Sequence, residues 1–203
     1  MGTNNTIRLA FKSSFENRCI QLFVNSYRQA IANKSISLSW IENDITSMLN
    51  NYISNDQKRI LWQIVNSREE YIFEENPIKS KGFSDKECRI DMKFTTISSE
   101  IEYVHFFEAK RLKENDSALK RRYIDTGIDS FLTGKYKNGV LLGYLLAGNL
   151  INTVDGINRL LIKDFREAET LKKTEYLYHE SYYESIHIGI GILKHLIFDF
   201  TVQ

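Results

Sequence analysis

Proline occurs once in the 203 residues, at Pro77. No repeat, low-complexity tract or linker interrupts the chain, so the expectation is one domain over residues 1–203, with N-terminal helices in 1–55 and a core of sheet and helices in 56–203. Cysteine occurs only as Cys19 and Cys88, never as CxxC, which excludes a disulfide framework and a cysteine zinc site. An excess of charge of either sign is also missing. The net charge is +1, so no global basic field points to nucleic acid, and any such contact must use local patches. No run of about 18 apolar residues is present, which excludes a membrane-spanning helix. The polar opening MGTNNTIR has no hydrophobic signal core, so the expected location is a reducing cytoplasm. Two common catalytic signatures, HExxH and GxSxG, are absent. GIGIL at 189–193 lacks the third glycine and the lysine of a phosphate loop.

What remains is an ordinary globular composition, 42% apolar and 26% charged. Periodicity predicts helices over 8–33 and 39–53, the second capped by Ser39. Residues 61–65 form a short apolar run of either type. Strands are predicted over 70–75, stopping at Asn76-Pro77, and over 88–97 and 101–110, joined by a turn at 98–100. A helix follows over 116–133. GVLLGYLLAG at 139–148 is continuously apolar, as in a strand buried on both faces. A helix over 150–172 and a final strand within 185–200, bent at Gly189 and Gly191, complete the reading. The class is α/β: a sandwich of helices around one mixed sheet.

The informative stretch is RIDMKFTTISSEIEYVHFFEAKRLK, 89–113. The strand at 101–110 is apolar and aromatic until it meets Glu108, Ala109 and Lys110. Charges at the end of a buried strand need partners. Strand side chains alternate, so Glu108 and Lys110 share a face about 7 Å apart. Asp91 lies one hairpin away. Two carboxylates held close repel each other, and a hard divalent cation resolves that conflict. Mg²⁺ (or Mn²⁺) needs only one or two protein carboxylates, and the Ala109 carbonyl could add a ligand. Lys110 beside the metal-bound water could orient or deprotonate it, or neutralise charge on a phosphate. Two other acidic-x-Lys triplets occur, Asp56-Gln57-Lys58 and Asp91-Met92-Lys93, so Lys93 rivals Lys110.

Asp91, a hairpin, then Glu108-Ala109-Lys110 resembles the PD-(D/E)xK signature of the restriction-endonuclease-like nucleases, with Ile90 where that signature has proline. The likeness extends to a carboxylate on a helix ahead of the sheet, Glu42 in WIENDITSML, with Asp44 as the alternative. It also extends to a helix and a buried strand after the lysine, and spans most of residues 40–200. The resemblance implies a three-layer sandwich with a central mixed β-sheet flanked by helices. It implies a metal-dependent nuclease in which Asp91, Glu108 and Lys110 are catalytic and Glu42, Asp91 and Glu108 hold Mg²⁺ or Mn²⁺. DNA is favoured over RNA as substrate. The implied setting is a small nuclease subunit of bacterial anti-phage defence, as a homodimer or beside an ATPase or helicase. The alternative is a silent nuclease-fold subunit that serves as a binding or scaffold component.

A basic stretch follows the motif. Arg111, Lys113, Lys120, Arg121 and Arg122 are candidate contacts to a nucleic-acid backbone, with Lys135, Tyr136 and Lys137 extending the surface and Tyr123 either joining it or lying in the core. Against this, short basic runs are usually solvated faces. His179, His187 and His195 invite a zinc reading. Along one strand an eight-residue spacing separates neighbours by ~26 Å, too far for a single ion. These histidines, and His105 on the opposite face from Glu108, are expected to be structural, and Cys19 to be packing.

Overall fold

Strands and helices here are set by where the apolar periodicity changes from two residues to about four. The computed structural model describes residues 2–72 and 88–203. Helix α1 spans Gly2–Ala32, α2 Glu42–Asn55 and the short α3 Gln57–Leu61. Strands β1 (Val65–Ile72), β2 (Cys88–Ser98) and β3 (Ile101–Lys113) follow. After them come α4 (Ser117–Arg122), a π-helical turn (Tyr123–Ile128) and α5 (Asp129–Leu132), which run on as one helical segment. Then come β4 (Val140–Ala147), α6 (Leu150–Lys163), β5 (Lys172–Lys173), β6 (Tyr182–His187), β7 (Gly191–Asp199) and a closing 3-10 turn (Phe200–Val202). No described helix is long and apolar enough to cross a membrane.

The seven strands make one mixed sheet in the order β1-β2-β3-β4-β7-β6-β5. β1, β2 and β3 form an antiparallel meander; β4 lies parallel to both β3 and β7. The β2–β3 turn consists of Ser99 and Glu100, with φ of 50° and 65°. Positive φ at both central residues is the turn geometry that matches strand twist, and it fixes the register.

β4 is buried on both faces, as its unbroken apolar run predicts. Leu142, Tyr144 and Leu146 join the core under α1 and α2, with Phe23, Phe94, Phe107 and Phe198. Leu141 and Leu145 join the opposite core, with Leu112, Tyr123, Ile128, Ile157 and Leu161. Alternation along one strand therefore seals both helix layers to the sheet.

Several boundaries differ from the sequence reading. The N-cap of α2 is Ile41, not Ser39, and its side chain makes no capping bond. Residues 57–61 are helical and β1 begins at Val65, ahead of the expected 70–75; residues 73–75 lie outside those described. The helix expected over 150–172 ends at Lys163, where Asp164 caps it. The single bent strand over 185–200 is a hairpin, β6 and β7, folded at residues 188–190. Gly189 (φ 96°) and Gly191 (φ 75°) take left-handed conformations there, so the glycines mark a reversal rather than a bend.

One glycine sets a close backbone approach. Gly139 has φ 148°, and a Cβ there would collide with the Phe106 carbonyl and stand 3.0 Å from the Phe131 ring. Backbone cannot yield as a flexible side chain can. Gly139→Ala is expected to cost about 3 kcal/mol, roughly 6–12 °C in Tm, readable by calorimetry.

Candidate active site

The site is built where two strands part. β2 and β3 pair from Ser98 with Ile101 as far as Met92 with Phe107. Beyond that point β2 stays with β1, while β3 runs on beside β4 to Lys113. The β2-facing edge of β3 then has backbone N–H groups without a strand to receive them. Two carboxylates receive them instead. Ala109 N–H donates to Asp91 Oδ2 at 2.7 Å, and Arg111 N–H donates to Glu42 Oε2 at 2.9 Å. A fork in the sheet thus explains why acids stand at a buried strand end: they complete its ladder.

Lys110 occupies the centre of this group. Its Nζ donates to Glu108 Oε1 at 2.5 Å and to the Ala109 carbonyl at 2.8 Å, and lies 3.5 Å from Glu42 Oε1. Glu108 and Lys110 are each 5% exposed, so water does little to screen them. Tyr136 donates its hydroxyl to the other Glu108 oxygen, Oε2, at 2.5 Å. The π-helical turn also reaches the site. A Cβ on Gly127 would stand 3.4 Å from Lys110 Cγ and 3.1 Å from two Leu141 methyls, so glycine lets the helix lie against the lysine stem. π-turns recur at functional sites because they shift a helix face by one residue.

Charge explains the electrostatics. Two carboxylates, Glu108 and Glu42, pair with one ammonium, and Asp91 stands near enough to feel their charges. Burial first, then the neighbouring Glu108 charge, pushes the Asp91 carboxyl up to about 7. Burial works against the Lys110 ammonium, but Glu108, then Glu42 and Asp91, outweigh it and hold its pKa above the ordinary lysine value. Beneath them the Tyr144 hydroxyl, 3.1 Å from Thr46 Oγ1, is driven up by burial, with Asp91 and Glu42 adding to it.

The structure places the side chains between which the sequence leaves the choice open. Glu42 reaches the fork, whereas Asp44, two residues along α2, is exposed. Lys110, not Lys93, brings its ammonium to Glu108 and Glu42. Lys93 sits within the paired part of β2, opposite Phe106.

The basic stretch divides. Arg111 Nη1 donates to the Trp40 carbonyl at 3.4 Å. Lys120 Nζ caps the Glu114 carbonyl at 2.6 Å, and Arg121 pairs with Asp164 and, at 3.8 Å, with Asp125. Lys120 and Arg121 therefore serve the fold, holding α4 to its surroundings. Lys113 is half-buried and Arg122 exposed. Tyr123 takes the core alternative, and Tyr136 is buried rather than a surface residue.

The histidines also differ from the one-strand expectation. Because β6 and β7 are a hairpin, His187 and His195 approach each other, and both imidazoles contact Ser185 Oγ, at 2.6 and 2.7 Å. His195 Nδ1 lies 2.9 Å from the Tyr123 hydroxyl, and His187 Nδ1 lies 2.7 Å from Glu169 Oε2. Serine, histidine and glutamate stand there as in a hydrolase triad, but Ser185 is 1% exposed and no substrate can reach it. The network satisfies buried polar groups.

Asp91, Glu108, Glu42 and the Ala109 carbonyl are hard oxygen donors, and their surplus negative charge suits a divalent cation of the Mg²⁺ type. Among the described residues no three acidic, histidine or cysteine side chains stand grouped as a ready metal centre. The Lys110 ammonium gathers Glu108 Oε1 and the Ala109 carbonyl instead, with Glu42 Oε1 at 3.5 Å. The donor set fits, with lysine in the cation's role.

Comparison of the chain with family models, with characterised proteins and with solved structures finds no match. The class rests on what has been described: an α/β sandwich with a carboxylate–lysine site at a fork in its sheet.

Proposed function

We propose that the chain is a divalent-metal-dependent nuclease that hydrolyses phosphodiester bonds, with DNA the favoured substrate. The observation that carries this reading is the meeting of Asp91, Glu108, Glu42 and Lys110 at the parting of β2 and β3. The order of elements supports it. A helix bearing a carboxylate, an antiparallel three-strand meander, a helical crossover and a parallel strand are what the restriction-endonuclease-like resemblance implies.

Asp91 and Glu108 would hold Mg²⁺ or Mn²⁺, joined by Glu42 and the Ala109 carbonyl. Bound there, the ion would supply an acidified water and neutralise phosphate charge. The chain's own residues do the rest. Lys110 stabilises negative charge as it develops on the phosphate. Tyr136 fixes the Glu108 rotamer, and the Ala109 and Arg111 amides fix Asp91 and Glu42. Arg111, Lys113 and Arg122 are the basic residues left to meet the nucleic-acid backbone. The setting this implies is bacterial defence, with a homodimer or an ATPase or helicase partner supplying specificity.

The test is incubation of plasmid DNA, linear DNA and single-stranded RNA with Mg²⁺, Mn²⁺ or EDTA, with Glu108→Gln as the control. Metal-dependent cleavage lost in the variant is expected, and the substrate cut names the preference. A folded protein that neither cleaves nor binds Mg²⁺ would overturn the reading. It would favour the alternative, a silent binding subunit, for which one observation speaks: Lys110 already binds Glu108 Oε1 and the Ala109 carbonyl.

Tyr136 offers a finer prediction. Tyr136→Phe keeps the buried ring and frees Glu108 Oε2. Turnover is expected to fall about tenfold with little change in KM, since positioning rather than substrate contact is lost. Steady-state kinetics checks it.

A further inference from the structure

The polar chain buried between β6, β7 and the π-helical turn does more than satisfy its own members. Its outer end is Glu169, whose Oε2 accepts from Arg166 Nη2 at 2.6 Å and from Arg166 Nε at 3.1 Å. A carboxylate paired with a guanidinium only accepts, so the donors behind it are fixed in turn. His187 Nδ1–H donates to Glu169, and the Ser185 hydroxyl donates to His187 Nε2. His195 Nε2–H donates to Ser185, and the Tyr123 hydroxyl donates to His195 Nδ1. Both imidazoles are neutral in this order. Burial favours that state, lowering the pKa of His187 and drawing that of His195 down to about 3.

The chain closes into a ring. Arg166 Nη2 also donates to Asp129 Oδ1 at 2.8 Å. Tyr123 opens the π-helical turn and Asp129 directly follows it. One circuit therefore grips the turn at both ends, from β7 at its start and from the segment after α6 at its end. Gly143 on β4 leaves room for the Tyr123 ring, which a Cβ there would meet at 3.3 Å. Apolar side chains could fill the same space; what the polar chain adds is a single hydrogen-bonded arrangement.

A π-turn needs such a grip, because it carries one residue more than the α-helical turn it replaces. Relaxation to α-helix would shift the register by one residue, a rotation of about 100°. Thr126 or Ile128 would then stand where Gly127 lies. A Cβ at that place already meets two Leu141 methyls at 3.1 Å and Lys110 Cγ at 3.4 Å, so either longer side chain would push the lysine stem away from Glu108 and Glu42.

We infer that Tyr123, His195, Ser185, His187, Glu169 and Arg166 form a positioning circuit that holds the π-helical turn in register and, through Gly127, keeps the Lys110 ammonium on its carboxylates. The six act on the site only through the turn. Their effect on cleavage rests on the nuclease reading; their effect on Lys110 does not.

The experiment is NMR of the full chain, ¹⁵N-labelled in lysine, in EDTA and without substrate. The Lys110 ammonium is assigned through Lys110→Met, and its proton exchange with water is compared across variants. Tyr123→Phe keeps the buried ring and opens the circuit at its inner end. Asp129→Ala opens it at the rim, where the side chain is 33% exposed and the core is untouched. Each should speed exchange about tenfold, and the double variant should exceed neither, because the register is lost at the first break. Ile157→Val, in the same core but outside the circuit, measures a plain loss of packing and should leave the exchange rate in place. Where the wild type cleaves, turnover in Tyr123→Phe should fall about tenfold at unchanged KM. Exchange that stays at the wild-type rate in folded Tyr123→Phe and Asp129→Ala, or that rises equally in Ile157→Val, would overturn the inference and leave the chain as packing. Faster exchange in a protein that cuts no substrate would uphold the circuit and count against the nuclease reading alone.

Discussion

Asp91→Asn is expected to lower metal-dependent cleavage by roughly 10³-fold or more, and at the same time to raise the melting temperature of the metal-free protein. The two effects share one cause. Asp91 is crowded by burial and by Glu108, which is why its carboxyl titrates near 7. Asparagine still offers an oxygen to the Ala109 N–H, so the end of the β3 ladder stays closed. What disappears is one of three negative charges around a single ammonium. A gain of about 2 kcal/mol, roughly 4–8 °C, is expected at pH 8 in EDTA. The pH dependence has a definite sign. A carboxyl whose folded pKa lies above its unfolded value binds protons better when folded, so stability from this group is full below about pH 4 and is lost as pH rises through about 7. The wild-type Tm in EDTA should therefore climb as pH falls from 8 to 5, and the climb should shrink in Asp91→Asn. A purely structural ion pair predicts the reverse: a lower Tm in the variant. Differential scanning calorimetry at three pH values, beside a cleavage assay, separates the cases.

That strained charge is also what made the site legible in the sequence. A soluble chain rarely ends a strand as apolar as Tyr103–Phe107 in Glu-Ala-Lys without a use for the charges. The hairpin at 98–100 placed Asp91 opposite with only a two-residue period and a turn as input, and the register agrees. The choice between Glu42 and Asp44 was not legible. Two helical residues differ by about 200° in direction, so only the docking of α2 on the sheet selects one. Tyr136 was missed as a Glu108 partner because it stands 28 residues away in sequence. The histidines misled through a single assumption. Gly189 and Gly191 were read as a bend within one strand, which spread His187 and His195 apart, whereas a reversal there stacks them onto Ser185. The internal partners of the basic run were not legible for a different reason. Sequence shows charge but not the acids that meet it, and Asp164 lies 43 residues beyond Arg121.

Lys110→Met is expected to have the largest effect on stability, and that effect should depend on metal. Methionine matches the buried stem of the lysine and lies comfortably against Gly127, so the loss isolates the ammonium. Without it Glu108, Glu42 and Asp91 face one another with no cation among them. Removing one partner of a buried ion pair costs about 3–5 kcal/mol, which for a chain of this size is roughly 6–20 °C in Tm. Mg²⁺ in the millimolar range should restore much of that loss in Lys110→Met and raise the wild-type Tm far less, because in the wild type the ammonium competes for the same oxygens. Cleavage should stay absent in the variant even where Mg²⁺ has restored the fold, since the charge that meets the phosphate has gone. The thermal shift thus reports on the oxygens and the cleavage assay on the lysine. If Mg²⁺ instead left the variant's Tm unmoved, the carboxylates would be partners of Lys110 alone. The fork between β2 and β3 would then be a buried ion-pair cluster that closes a strand end, and the metal reading would fall with it.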